Sequence, residues 1–333
     1  MLMNYHVSSR APGMISGHLS VSGGHSIYYE KHGIGRPAVI LHGGPGGGLS
    51  RSILDRFDLK KWCVILFDQR GCGKSTPFGS IEHNTTWDLV EDMEALRTLF
   101  GFDSWFICGG SWGTTLALAY SEKYPMRATG LLLRGLCFCD DDSFRWLYEK
   151  GGASEIFPDR WASFISVLPE RLRIAGWKEI ARFYHKKLNG PSPQKYVKAW
   201  WGWEFAVSRL IPDREDPTAD NEALALARLE NHYFVNNCWF TKDQLLRGLG
   251  ALRHIPITIV HGRYDLVCPI SASFEVKKAL PHTKLIVIPD AGHASIEPGT
   301  NRMLKQEVAR FLRNTRRNKQ SKRRTVKHRV KKV

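Results

Sequence analysis

The chain has 333 residues, 43% apolar and 24% charged, which excludes a disordered or fibrous protein and leaves room for one large core or two. Its net charge of +16 is unevenly placed: eleven Lys and Arg and no Asp or Glu fall between Arg313 and Val333, leaving +5 for the rest. No run approaches the ~18 apolar residues of a membrane span. No basic n-region with an apolar h-region opens the chain, and seven scattered cysteines form no disulfide framework. The expected compartment is the cytoplasm.

In chain order, Gly17 to Tyr29 alternates weakly and reads as an antiparallel edge hairpin. Ala38 to Leu41 is a short buried strand running into His42-Gly-Gly-Pro-Gly-Gly-Gly48. Cys63 to Phe67 is a second, closing on Asp68-Gln-Arg-Gly-Cys-Gly-Lys-Ser75. Thr86 to Phe100 has helical spacing with Thr86 as its expected N-cap. A strand over Trp105–Cys108, a helix over Thr114–Tyr124 and a strand over Ala128–Leu133 follow. From Cys137 to Leu249 the pattern is helical, rich in Trp and Tyr, with no clear strand. Strands resume at Ile255–Val260 and Lys284–Ile288, and a last helix covers Asn301–Leu312. This rhythm implies an α/β fold with a mostly parallel sheet and helices on both faces. The expected division is core over 1–136, a helical cap over 137–249, core again over 250–312, and a disordered basic tail over 313–333.

The strand at Trp105–Cys108 runs into Gly109-Gly-Ser-Trp-Gly113, a Gly-x-Ser-x-Gly nucleophile elbow of the α/β-hydrolase type. A serine needs a base within hydrogen-bond reach and a group to orient that base. Chain order in this fold is Ser, Asp, His. Asp265 follows the strand ending at Val260, and His293 follows the strand ending at Ile288. Both lie past the C-terminal strand ends, where open α/β sheets place their sites. Ser111, Asp265 and His293 are therefore the expected triad. Asp290 reads as a turn residue and His261 as a loop support. The oxyanion formed on attack needs preorganised donors, expected from the N–H of Trp112 and the loop at Gly43 and Gly44. Gly73-Lys74-Ser75 is not a phosphate loop, because Asp68 stands where its first glycine belongs. No His/Cys cluster has zinc spacing, so neither metal nor cofactor is expected.

Together, His42-Gly-Gly-Pro-Gly, Asp68-Gln-Arg-Gly-x-Gly-x-Ser75, Gly109-Gly-Ser-Trp-Gly113, Trp200-x-x-Trp-Glu204, Glu230-Asn-His-Tyr-Phe234 and Gly262-Arg-Tyr-Asp265 resemble the prolyl aminopeptidases, or proline iminopeptidases. The resemblance covers roughly residues 15 to 312. It implies release of N-terminal proline from peptides through an acyl-enzyme, with Glu204 and Glu230 holding the substrate amine. An aminopeptidase must fix a cationic terminus, and a triad alone supplies no carboxylate for it. The expected proline pocket comprises Cys137, Phe138, Leu147, Tyr148, Phe234 and Cys268. It departs from the family, which carries Ile-Phe where this chain has Leu136-Cys137, and a tyrosine near Leu147. The alternative is an esterase or amidase of broader small-acyl specificity. A third reading is a binding module delivered by its tail. That tail would attract nucleic acid or anionic surfaces weakly and with salt dependence.

Overall fold

A strand whose residues are buried at every position must lie between two layers. Trp62–Phe67 is such a strand. The computed structural model describes residues 13–211, 218 and 220–313, so the basic run beyond 313 lies outside the described residues. Eight strands form one sheet: β1 (Met14–Ser20), β2 (Ser26–His32), β3 (Arg36–Leu41), β4 (Trp62–Phe67), β5 (Trp105–Gly110), β6 (Ala128–Arg134), β7 (Ile257–Gly262) and β8 (Lys284–Ile288). Their order is β1-β2-β4-β3-β5-β6-β7-β8. β1 and β2 pair antiparallel, β2 joins β4 antiparallel, and the other pairings are parallel.

Side chains alternate across this sheet with period two. Val39, Leu41, Ile65, Phe67 and Ile107 face one apolar cluster. Ala38, Ile40, Val64, Leu66, Phe106 and Cys108 face a second, closed by Phe57, Leu304 and Val308. Helix α1 (Thr86–Leu99) and helix α2 (Trp112–Lys123) cover the first face. The N-cap of α1 is Thr85, not the expected Thr86. Asp88 decides it: the side chains of Thr85 and Asp88 close a capping box, satisfying two helix N–H groups. Thr86, one residue inside, donates its hydroxyl to the Cys238 carbonyl at 2.7 Å.

Between β6 and β7 come α3 (Asp141–Tyr148), α4 (Pro158–Ser166), α5 (Trp177–Leu188), α6 (Gln194–Val207), α7 (Asn221–Val235) and α8 (Gln244–Gly248). Their aromatic residues belong to the same apolar cluster as the first sheet face. Helix α9 (Ser271–Ala279) lies between β7 and β8, and residues 298–313 are helical. The chain reverses its direction of sheet growth at β3, placing the loops after β3 and β5 side by side, which is where open sheets build their sites.

Candidate active site

Ser111 sits between β5 and α2 with φ 56° and ψ −128°. That left-handed backbone is strained for a residue with a Cβ and recurs at functional sites. Two close approaches permit it. A Cβ on Gly109 would lie 2.2 Å from the Gly113 carbonyl, and one on Gly113 would lie 2.2 Å from the Leu41 carbonyl. The Ser111 N–H donates to the Arg134 carbonyl at 2.9 Å, tying the elbow to β6.

Asp265 and His293 meet as the sequence suggests: His293 Nδ1 and Asp265 Oδ2 are 2.8 Å apart. The other Asp265 oxygen accepts the N–H groups of Cys268 (2.8 Å) and Val267 (3.1 Å). Burial opposes ionisation of Asp265, but the charge and hydrogen bonds of His293 and His261 outweigh it and hold the carboxyl well below the usual range. Burial, with Arg134 beside it, lowers His293 below its ordinary value, so the imidazole is neutral and able to take a proton. Its Nε2 faces Arg134 Nη1 at 3.1 Å, while the Ser111 hydroxyl makes no hydrogen bond among the described residues. Catalytic hydrogen bonds often tighten only with substrate present. His261 is fully buried, holds the Cys268 carbonyl at 2.8 Å and approaches Asp265 at 3.2 Å. Asp290 is exposed and outside this network.

Two chain segments come together at the expected oxyanion donors. The Gly43 backbone lies against the nucleophile, since a Cβ there would be 3.2 Å from Ser111 Cβ. Gly44 adopts φ 101°, open chiefly to glycine. Trp112 is the first residue of α2, so its N–H lacks an intrahelical acceptor. Gln69 joins the two parts. Its side-chain amide donates to the His42 carbonyl at 3.1 Å and accepts the Trp112 indole N–H at 2.9 Å. Its own N–H meets His42 Nε2 at 3.1 Å. Asp68 ties down the flanks by accepting the N–H groups of Leu49 and Lys74. The Asp-Gln-Arg-Gly motif is thus a clamp on the glycine loop.

A cavity of about 50 Å³ opens at Ser111. Its walls include Glu204 from α6 and Glu230 from α7, together with Cys137, Leu147, Tyr148, Phe234 and Cys268. Phe138 is buried but does not line it; Cys139, Ser143, Phe144 and Val267 do. Sequence reasoning missed these four: the chain turns at Cys139 with φ 52° before α3 swings Ser143 and Phe144 inward, and Val267 comes from the separate segment after β7. The acidic residue Asp140 signalled that helix start, since it caps α3 by accepting the Ser143 N–H. Glu204 accepts the Tyr148 hydroxyl, and Glu230 accepts the Trp200 indole N–H at 2.9 Å. Burial raises both carboxyls, Glu230 well above its ordinary value because Glu204 adjoins it. The hydrogen bond that Cys268 donates to Cys137, with burial, pushes the Cys268 thiol up, so it is no competing nucleophile. Among the described residues no His, Cys, Asp and Glu group could hold a metal.

Residues 37–300 match the family model described as alpha/beta hydrolase fold. The chain is 46% identical to a protein of Leptolyngbya boryana named as a probable proline iminopeptidase, over 89% of this chain and 94% of that one. It is 45% identical to proline iminopeptidase of Arabidopsis thaliana, over 85% and 76%. It is 42% identical to that of Neisseria gonorrhoeae, over 89% and 96%. Among solved structures, an esterase from Exiguobacterium antarcticum aligns with TM-score 0.56 and 18% identity, over 88% of this chain and 98% of that one. A thermophilic esterase from Thermogutta terrifontis aligns with TM-score 0.52 and 22% identity, over 90% and 98%. These two share the fold.

Proposed function

The chain belongs to the proline iminopeptidases, a family of α/β-hydrolase fold, and on that premise we propose how its own residues release the N-terminal proline of a peptide. It is a serine hydrolase of prolyl aminopeptidase type. The observation that carries the assignment of roles is a single small cavity with Ser111 and both Glu204 and Glu230 in its wall. The secondary ammonium of the substrate's proline lies between the two glutamates. Its ring rests on Tyr148, Phe144, Leu147 and Phe234, with Cys137 and Cys268 beside the scissile carbonyl.

Ser111 Oγ attacks the carbonyl carbon as His293 takes the hydroxyl proton, with Asp265 holding the imidazole's tautomer. The N–H groups of Gly44 and Trp112, with the Gly43 backbone behind them, receive the oxyanion. His293 then protonates the departing amine, leaving a prolyl ester on Ser111. Water, activated by the same imidazole, hydrolyses that ester and frees proline. Two adjacent buried carboxyl groups cannot both ionise unaided. The incoming cation supplies the missing countercharge, so amine recognition and carboxyl ionisation are one event. The insertion over 137–249 acts as a cap that closes the acyl side.

Turnover of proline anilide against N-acetylproline anilide, with Ser111→Ala as control, tests this reading. Strong preference for the free amine is expected; equal turnover of both would remove the glutamate clamp. A broader esterase or amidase has no use for two buried carboxyl groups, and that alternative is not favoured. No helix among the described residues is long and apolar enough to cross a membrane. Seven cysteines, all free and buried, suit a reducing compartment such as the cytoplasm. The run from Arg313 would add weak, salt-sensitive attraction to anionic surfaces, which comparing the full chain with a 1–312 truncation on heparin would register.

A further inference from the structure

A second, larger cavity of about 280 Å³ lies on the other side of the elbow, with Gly43 and Gly110 in its wall and Ser111 outside it. Its sides are apolar, among them Ile53, Phe57, Leu304 and Val308. Two arginines also line it, Arg56 and Arg134. Other shielded arginines are matched to acids: Arg70 bonds both oxygens of Asp92 at 2.7 Å, and Arg97 pairs with Glu94. Among the described residues neither Arg56 nor Arg134 forms an ion pair within 4 Å with an acid, although Asp265 and Glu297 act on Arg134 from farther away. Arg56 reaches only neutral acceptors, Asn301 Oδ1 at 2.9 Å and both oxygens of Ser295 at 3.2 Å. Arg134 reaches His293, and its Nε is buried with no hydrogen-bond partner among the described residues. Two like charges in a largely apolar wall, one with an orphaned donor, constitute an anion receptor.

Resting on the prolyl aminopeptidase reading, we propose that this cavity receives the residue after proline with its free C-terminal carboxylate, making short Pro-Xaa peptides with an apolar Xaa the preferred substrates. The direction follows from the chemistry. The acyl half occupies the cavity shared by Ser111 and the glutamates. The leaving amine takes its proton from His293 Nε2, and that nitrogen is the one Arg134 touches at 3.1 Å. The leaving group therefore departs past Arg134 into the cavity that Arg134 lines. An arriving carboxylate gives the guanidinium an acceptor in exchange for the imidazole, freeing Nε2 for the Ser111 hydroxyl. The two cavities thus read the two ends of one small peptide, cation on one side and anion on the other.

The test compares kcat/KM for Pro-Leu and Pro-Leu-amide, which differ only in the terminal charge. The free acid should be favoured about tenfold or more, the scale of a charge-assisted hydrogen bond. Arg56→Gln should compress that acid-to-amide ratio toward one. Where the variant folds poorly, wild-type inhibition decides: free leucine should inhibit proline anilide turnover about tenfold more strongly than leucinamide. Equal kcat/KM for acid and amide, an unchanged ratio in Arg56→Gln, or equal inhibition by leucine and leucinamide would overturn the proposal. Proline anilide has no carboxylate, so its continued hydrolysis in those cases leaves the aminopeptidase reading standing; its loss alone counts against that reading.

Discussion

Asp265 and the pair Glu204 and Glu230 are all shielded acids, yet the fold shifts them in opposite directions. Asp265 stands at a strand end of the sheet, where two imidazoles face it and two main-chain N–H groups bond it. It stays ionised despite burial. The glutamates stand on α6 and α7, where a tyrosine hydroxyl, an indole N–H and each other are their partners. Burial raises both, Glu230 the more because Glu204 adjoins it, so the pair resists the double ionisation that would leave two charges side by side. The difference teaches where a charge is completed: the sheet supplies its own counterion, while on the proposed reading the helical insertion takes its counterion from the substrate.

The comparison breaks most visibly at the sheet end. Ser111→Ala should lower kcat by about 10⁶-fold, and Asp265→Asn by about 10⁴-fold, because the amide turns the imidazole to the wrong tautomer. Both losses should be the same for every acyl group tested. Glu230→Gln should behave differently. It should cost about 10²-fold in kcat/KM for free-amine proline substrates, the scale of a lost charged contact, and compress the ratio between free and N-acetylated substrates. A uniform loss across both substrates would mean that Glu230 supports the fold and not the amine.

The two acid sets also predict separate pH effects. His293 lies below its ordinary 6.5, so the acid limb it imposes on kcat/KM lies below that value. The raised glutamate pair adds a second limb at higher pH for cationic substrates, and Glu230→Gln should move the observed limb downward. Stability carries the same signature with a definite sign. A carboxyl raised by folding contributes fully below its unfolded value near 4.5, and loses that contribution as pH rises through its folded value. Glu122, pushed up to about 8 by burial, has the same sign without the same purpose. The ligand-free Tm should therefore fall from about pH 5 to pH 8. Free proline should restore the part due to Glu230 and leave the part that Glu122→Gln abolishes. Proline binding that does not depend on Glu230 would erase that distinction.

How much of this could be read beforehand follows the same division. The strands, the elbow and the meeting of Asp265 with His293 were legible because alternation, glycines and chain order are local, and a strand end fixes where Asp265 and His293 emerge. α2 begins two residues before the expected Thr114, since the buried helix starts directly at the elbow. Glu204 and Glu230 were named through family motifs, not through periodicity. The meeting of Arg134 with His293 was not legible, because it joins β6 to the loop after β8, 159 positions apart. Nor was Arg56, whose short helical segment becomes a cavity wall only when the residues near 304 and 308 pack over it. Phe138 shows the limit of proximity as a guide: it adjoins Cys137 in sequence but not in the cavity wall.

The smallest effects test how firmly the insertion is seated on the sheet. Asn84, Thr86 and Trp87 bond Tyr233, Cys238 and Trp239 across that seam. Thr86→Val keeps the shape of the side chain but orphans the Cys238 carbonyl, an expected loss of about 1–2 kcal/mol. If the seam sets the distance between Ser111 and the glutamates, this variant should also raise KM for proline substrates a few-fold, with kcat held. Thr85→Ala, one residue earlier, should cost about 1 kcal/mol by opening the capping box. Its hydroxyl bonds stay within α1, so KM should not move. Thermal melts and KM on the two variants separate the cases: equal KM in both would mean that the seam contributes stability alone, and that the acid pair is placed by α6 and α7 without help from the sheet.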